Sequence, residues 1–430
     1  MVLDARLTLK LSAISLFSGL GGLDYGFEAA NYKTLIAVDS DRVCREVIRR
    51  NRRWAVLEVE APNGTTSGDL SLISSRQLLQ EARLRRRDLD VLMSGPPCQP
   101  FSKAGYWANG DSPRLKDPRA NTLKEFLRVL RDTLPRVFVL ENVPGFAFAG
   151  KREGLDLLLR ALNDINKQCG TSYRAVVKVL NAADYGVPQI RHRLFVVGCR
   201  DGREFVFPER THGPLSGGTK RQVSAYRTAW DAFAGLPEML DAPDLMVGGK
   251  WGDLLPSIPE GKNYLWHTPK GGGKPIFGWR TRYWSFLLKL AKGRPAWTIP
   301  AEPGTATGPF HWKNRRLSIA EMCRLQTLPR PLIMDISYRD AQRLIGNAVP
   351  SLLAEVLALE IREQLFESKK RCGRNSFVST NRRSIASPEP VSRVPKKYLM
   401  MVGDHAPHPG PGLGPLYSAQ KIQRGIGHYR

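Results

Sequence analysis

Over the first 200 residues, apolar positions fall into short runs separated by stretches of helical spacing. The runs at 12–17, 32–38, 90–93, 137–140, 173–180 and 194–198 have the length of buried strands. Between them, apolar residues recur at helical spacing up to Ala30, over 42–51, from Gly68 to about Arg87, over 122–134 and over 154–168. Strands alternating with helices predict an α/β fold with a doubly wound, mostly parallel, Rossmann-like sheet. That periodicity stops near Cys199. To about residue 300 the chain is rich in Gly, Pro, Arg, Lys and Trp, with Trp230, Trp251, Trp266, Trp279, Trp284 and Trp297 all inside it. A smaller, irregular, basic domain is expected there, its tryptophans forming a small core rather than wedging into a ligand. Helical spacing returns at 317–328 and 351–366. From about residue 369 Ser, Pro, Gly, Arg and Lys dominate, and a disordered basic tail is expected. The expected divisions are 10–198, 199–312, 313–366 and 367–430.

Charge narrows the class of partner. Lys and Arg number 65 against 40 Asp and Glu, a net charge of +25. An excess of that size favours a polyanion, above all nucleic acid, over a membrane surface. The six cysteines (Cys44, Cys98, Cys169, Cys199, Cys323, Cys372) are scattered, with no CxxC pair and no zinc-like spacing. A reduced intracellular protein without structural metal is expected. No apolar stretch approaches the ~18 residues of a membrane span and no leader-like segment opens the chain, so a soluble, non-secreted protein is expected.

The candidate chemistry lies at the ends of the expected strands. After the run at 90–93 come Gly95, Pro96, Pro97, Cys98, Gln99, Pro100, Phe101 and Ser102. Proline fixes φ and removes a donor, so this is a stiff loop presenting one thiol. Open α/β sheets place chemistry at such carboxyl ends. The bland alternative is that Cys98 is a small buried hydrophobe, as most free cysteines are. The turn Gly19-Leu20-Gly21-Gly22 lets a ligand approach the backbone but lacks the third glycine of a dinucleotide fingerprint. Asp39 ends the second strand, where an acid can bond ribose hydroxyls, and Asp69 is placed to accept from an adenine amino group. Singly, each acid is more often a helix cap; together they outline an adenosine pocket without a pyrophosphate. Glu141 ends the 137–140 run, where a carboxyl can bond a base ring nitrogen or merely cap the next helix. Arg191 and Arg193, two apart in an expected strand, would share one face and suit phosphate or a base carbonyl; a surface charge pair is the alternative.

Six motifs in order give the chain a family resemblance. They are FSGLGG (17–22), GPPCQPFS (95–102), ENV (141–143), QIRHR (189–193), RRLSIAEMCRLQTLP (315–329) and QRLIGNAVP (342–350). The chain resembles the DNA (cytosine-5)-methyltransferases of bacterial restriction–modification systems, which use S-adenosylmethionine. Ser318 stands where the family more often has threonine, and the hydroxyl is kept.

The resemblance implies that Cys98 attacks C6 of a cytosine flipped out of duplex DNA. It implies that Glu141 contacts N3 and the exocyclic amine, and that Arg193 holds O2 with Arg191 nearby. It assigns Phe17, Gly19, Leu20, Gly21, Gly22, Leu23, Asp39, Asp69, Leu123, Asn347 and Val349 to the cofactor, and Arg316 and Glu321 to structural support. The irregular region occupies the family's target-recognition position. The resemblance further implies a monomer in the bacterial cytosol at the nucleoid, with a restriction endonuclease as companion. The rival expectations are the same chemistry on tRNA and a catalytically inactive DNA-binding regulator. No residue is indicated as acceptor of the C5 proton.

Overall fold

The computed structural model describes residues 10–97, 121–147, 152–214, 223–237, 243–279, 283–366, 377–378, 382 and 384–402. Its centre is a seven-stranded sheet: β1 (Leu11–Leu16), β2 (Tyr32–Val38), β3 (Ala55–Val56), β4 (Val91–Ser94), β5 (Val137–Asn142), β6 (Arg174–Asn181) and β7 (His192–Cys199). The spatial order is β3-β2-β1-β4-β5-β7-β6. The pairs from β3 through to β5 are parallel, whereas β7 runs antiparallel to both β5 and β6. The sheet is thus mixed and mostly parallel, as the alternation of strand and helix predicts. Every residue of β4 and β5 is buried, which explains why these strands read as unbroken apolar runs. After β1 the chain winds outward through β2 and β3, then crosses back to β4. The crevice beyond the carboxyl ends of β1 and β4 is therefore the topological switch point, where ligands bind in open α/β sheets.

Helices cover both faces. On one side α1 (Gly22–Ala29) and α8 (Ser351–Leu365) pack Leu23, Phe27, Leu353 and Leu357 with Ala13, Met93, Val139 and Phe195 of the strands. At Gly26 an added Cβ would come within 2.4 Å of Ala354, so α1 and α8 meet backbone to backbone. On the other side α3 (Ser75–Ala82), α4 (Asn121–Thr133) and α5 (Glu153–Cys169) close over Ile14, Leu92, Phe138 and Val196. A third core joins α2 (Arg42–Asn51) to α6 (Ile319–Leu325) and α7 (Tyr338–Asn347) through Val47, Ile48, Leu325 and Ile345. The span 338–365 is apolar and long enough to cross a membrane, but it is two helices broken at Pro350 and most of it is buried inside the fold.

Three local expectations change. The helix expected from Gly68 to Arg87 occupies only 75–82, starting at a Ser74–Gln77 capping box and ending at Arg83 in the left-handed region. Helix α7 has no counterpart among the expected elements. Its apolar face is only Ala341, Leu344 and Ile345, too short a stripe to stand out from the sequence.

The third change concerns the expected disordered tail, because residues 384–402 pack against the second domain. Tyr398 is fully buried, its ring stacked on Trp251 at 5.6 Å and its hydroxyl donating to the Lys250 carbonyl at 3.0 Å. Glu389 pairs with Lys292 at 2.8 Å and Lys313 at 2.9 Å. One buried aromatic and the half-buried Glu389 on buried Lys292 anchor a segment whose composition alone suggests disorder. The second domain has its own small core of Trp251, Leu254, Leu255, Ile258, Tyr264, Phe277, Phe286 and Phe310. Trp279 and Trp284 stay outside it, 41% and 54% exposed.

Candidate active site

A cavity of about 370 Å³ opens at the switch point. Its walls come from the ends of β1, β2, β4 and β5, from β7, and from the turn between α7 and α8. Of the residues singled out in the sequence, Phe17, Gly19, Gly22, Leu23, Asp39, Glu141, Arg193, Asn347 and Val349 line it. Cys98, with Gln99 and Ser102, lies outside the described residues.

The wall that includes Phe17, Gly19 and Asp39 is built on backbone constraint. Phe17 has φ 54°, a left-handed conformation that is costly for a bulky side chain, and it turns the chain sharply out of β1. Gly19 follows with φ 57°, and among the described residues nothing lies within 4 Å of where its Cβ would be, so none of them closes off the backbone there. The Gly19 N–H donates to Asp39 Oδ2 at 2.7 Å, and the Asp41 N–H donates to Oδ1 at 2.8 Å. Each carboxylate oxygen keeps a second acceptor site for a ligand hydroxyl. Burial pushes the Asp39 carboxyl above its ordinary pKa, while the two backbone donors pull it back. At Gly22 an added Cβ would lie 2.4 Å from the Val349 carbonyl, so the 347–349 segment sits directly on the glycine turn and closes the wall. Arg343 ties the same region to Asp41 and, at 3.0 Å, to Asp340.

The opposite side carries the charged pair. Glu141, 8% exposed at the end of β5, accepts from Arg193 Nε at 2.8 Å. Burial raises the Glu141 pKa, and the Arg193 and Arg191 guanidiniums oppose the rise. A carboxyl balanced in this way can hold or share a proton with a ring nitrogen. The strand leading to Cys98 is tied down on two sides. The Gly95 N–H donates to the Leu16 carbonyl at 3.2 Å, and Asn142 Nδ2 donates to the Pro96 carbonyl at 3.4 Å. Asn142 is a positioning residue that the sequence offered only as the middle letter of ENV. Cys44 also faces the cavity, but burial and the carboxylates of Asp39 and Asp41 push its thiol pKa up, which leaves it a poor nucleophile.

Five expected site residues stand apart from this cavity. Arg191 is fully buried, with Nη2 donating to the Gly346 carbonyl at 2.6 Å and Nη1 to the Ile299 carbonyl at 3.5 Å. Residues 189–190 pair with 296–297, and β7 starts only at His192. Arg191 therefore falls in a break between strands, and the shared-face argument linking it to Arg193 fails. Leu20 and Leu123 are core residues at 1% and 2% exposure. Gly21 lies under Trp54, where a Cβ would come within 2.7 Å of the ring. Asp69 is exposed and caps its own turn, accepting from Ser71 N–H and Oγ at 2.9 Å each. It follows a two-residue hairpin strand, not a strand of the main sheet. In the 315–329 motif, the partner of Glu321 is Arg315, bidentate at 2.8 and 2.7 Å, and not Arg316.

Comparison with known proteins identifies the family. The family model for the C-5 cytosine-specific DNA methylase matches residues 11–363. The Type II methyltransferase M.SacI of Streptomyces achromogenes is 38% identical over 376 residues, covering 83% of this chain and 94% of its own. M.NgoFVII of Neisseria gonorrhoeae is 31% identical, covering 79% and 83%. Among solved structures, S. pombe Dnmt2 methyltransferase superposes with a TM-score of 0.55 at 15% identity, covering 83% of this chain and 99% of its own, a likeness of fold. The chain belongs to the C-5 cytosine-specific DNA methylase family. Its activity is that of a DNA (cytosine-5)-methyltransferase.

Proposed function

We propose that this chain methylates C5 of a cytosine flipped out of a specific duplex DNA sequence, with S-adenosylmethionine as donor, as the modification half of a restriction–modification system. The observation that carries the proposal is that one cavity is lined both by Asp39 and by the ion-paired Glu141 and Arg193, groups suited to ribose hydroxyls and to a base edge. The donor set fits S-adenosylmethionine: acceptor sites on Asp39, open backbone at Gly19, and apolar walls from Phe17, Leu23 and Val349, with no phosphate-binding run of glycines. When bound, that cofactor supplies an electrophilic methyl group.

This chain's own residues do the rest. Cys98, next in sequence after the tethered Pro96-Pro97, adds its thiolate to C6 and so makes C5 nucleophilic. Glu141 bonds N3 and the exocyclic amine and stabilises the charge that the addition places on the ring. Arg193 holds Glu141 in place and presents its guanidinium to O2. After methylation the C5 proton leaves and Cys98 is eliminated, restoring the ring. Flipping costs on the order of a few kcal/mol, which phosphate contacts elsewhere on the protein offset.

In this proposal residues 10–198 carry the chemistry and 199–312 recognise the target. Residues 313–366 return to the catalytic body, and the protein works as a cytosolic, nucleoid-associated monomer beside a cognate endonuclease. Arg191, Leu20, Gly21, Asp69 and Leu123 support the site from outside the cavity. The test is tritium transfer from labelled S-adenosylmethionine to duplex DNA, recovered as 5-methylcytosine and abolished in Cys98→Ala. Transfer that survives in Cys98→Ala, or that goes to tRNA and not to DNA, would overturn the proposal.

A further inference from the structure

The aromatic residues of the second domain divide sharply. Trp251 and Trp312 are 9% and 3% exposed and belong to cores, whereas Trp279, Tyr283 and Trp284 are 41%, 45% and 54% exposed. Three large exposed aromatics within six positions make a patch of the kind that marks an interaction site. Two of them are held in fixed positions. The Tyr283 hydroxyl shares a hydrogen bond with Thr307 Oγ1 at 2.7 Å. The Trp284 ring stands edge-on to Trp297 at 5.7 Å, and its carbonyl accepts from the buried Asn263 at 2.7 Å. Rigid rings with an exposed face lose little entropy on binding, which suits them to stack on bases.

Their position joins two features of the molecule. Trp297 pairs in parallel register with Ile190, and Thr298 Oγ1 donates to the Ile190 carbonyl at 2.8 Å. Three residues beyond Ile190 is Arg193, on Glu141. On the other side, Thr307 lines a second cleft of about 660 Å³, whose walls include Arg316, Arg339 and Arg343. Arg343 lines the catalytic cavity as well, so the two spaces are neighbours. Among the described residues, neither Arg316 nor Arg339 is hydrogen-bonded to a carboxylate; Asp340, beside them, is taken by Arg343 and Ser337. Uncommitted guanidiniums in a cleft of a chain with net charge +25 suit phosphates.

We propose that Tyr283 and Trp284 are specificity-determining residues that pack against the bases bordering the target cytosine. Arg316 and Arg339 neutralise phosphates of the same DNA in the adjoining cleft. The proposal rests on the placement of the flipped cytosine at Glu141 and Arg193.

The experiment uses the full-length chain. Bisulfite sequencing of DNA from cells expressing it defines the target context, and a duplex carrying that context is titrated at several salt concentrations. Trp284→Ala is expected to weaken binding of the cognate duplex about tenfold or more, to spread methylation to further contexts, and to leave S-adenosylmethionine affinity unchanged. Trp284→Leu, which keeps an apolar contact with Trp297 but no stacking face, carries the same expectation and replaces Trp284→Ala if that variant melts early. Arg316→Ala with Arg339→Ala should lower the slope of log affinity against log salt by about two, equally for cognate and unrelated duplexes. Wild-type context and affinity in both Trp284 variants, or an unchanged salt slope in the double arginine variant, would overturn the proposal. A wild-type chain that methylates no duplex would instead refute the reading of the catalytic cavity.

Discussion

Replacing Arg191 tests whether this arginine acts on substrate or on the fold. Its guanidinium is fully buried and donates at 2.6 Å to the carbonyl of Gly346, one residue before cavity-lining Asn347. A hydrogen bond to a charged group is worth about 1.5–3 kcal/mol, and leaving the buried carbonyl unpaired adds about 1–3 kcal/mol. The longer contact to the Ile299 carbonyl, at 3.5 Å, contributes little. Arg191→Ala should therefore lose about 3–5 kcal/mol of apparent stability in urea unfolding, most of it from the bond to Gly346 and the carbonyl left unpaired. Below its melting range the variant should show a raised KM for S-adenosylmethionine, because the 347–349 wall loses its anchor, and a kcat within about tenfold of wild type. Arg191→Met, which keeps the packing of the stem, should lose about half the stability. An Arg191→Ala protein with a wild-type unfolding curve and a kcat reduced a thousandfold would refute this argument and return Arg191 to the reacting base.

Three further outcomes follow from buried groups. Asp24 is fully buried between Ser15 and Thr34, and burial raises its pKa from 3.8 to about 7. The folded state therefore binds the proton more tightly than the unfolded chain, so stability falls as pH rises from about 4 to 7, by about 4 kcal/mol in all. Urea curves at pH 5, 6, 7 and 8 should fall more steeply in the wild type than in Asp24→Asn, where only other buried carboxyls such as Asp39 and Glu141 still contribute; parallel decline in both proteins would exclude Asp24 as a source. Glu141→Gln should bind cofactor and DNA yet turn over about 10²–10⁴ times more slowly in single-turnover tritium transfer, and a wild-type rate would remove Glu141 from the chemistry. Tyr398→Ala should cost about 3–5 kcal/mol and open the second domain to limited proteolysis, since the ring is stacked on Trp251; an unchanged digest would mean that residues 384–402 are dispensable to that domain.

Much of the catalytic body is legible because its elements bury whole faces. The strands at 11–16, 32–38, 91–94, 137–142 and 192–199 each carry their own apolar signal, and topology alone directs attention to the ends of β1 and β4. What the sequence hides depends on partners distant along the chain. Arg191 and Arg193 look equivalent until the pairing of 189–190 with 296–297 breaks the register between them. Arg315 and Arg316 are adjacent and identical, and only the fold directs the first to Glu321 and the second to a cleft. The segment 384–402 has the composition of a disordered tail, yet Tyr398 and Glu389 suffice to anchor it. The irregular domain yields least, because its core is assembled from single residues on turns, without a period to detect.

The seating of Val349 on the Gly22 turn makes the enzyme a late product of its own synthesis. Asp39 and the glycine turn emerge from the ribosome early, but the cavity wall at 347–349 waits for roughly 300 further residues, some tens of seconds at ~5–20 residues per second. Until then a nascent chain has the acid and the turn but no closed cavity beside them. On the proposed reading of that cavity, a polypeptide released anywhere before residue 349 should be unable to hold the methyl donor, so incomplete translation yields silent fragments and not unregulated methylases.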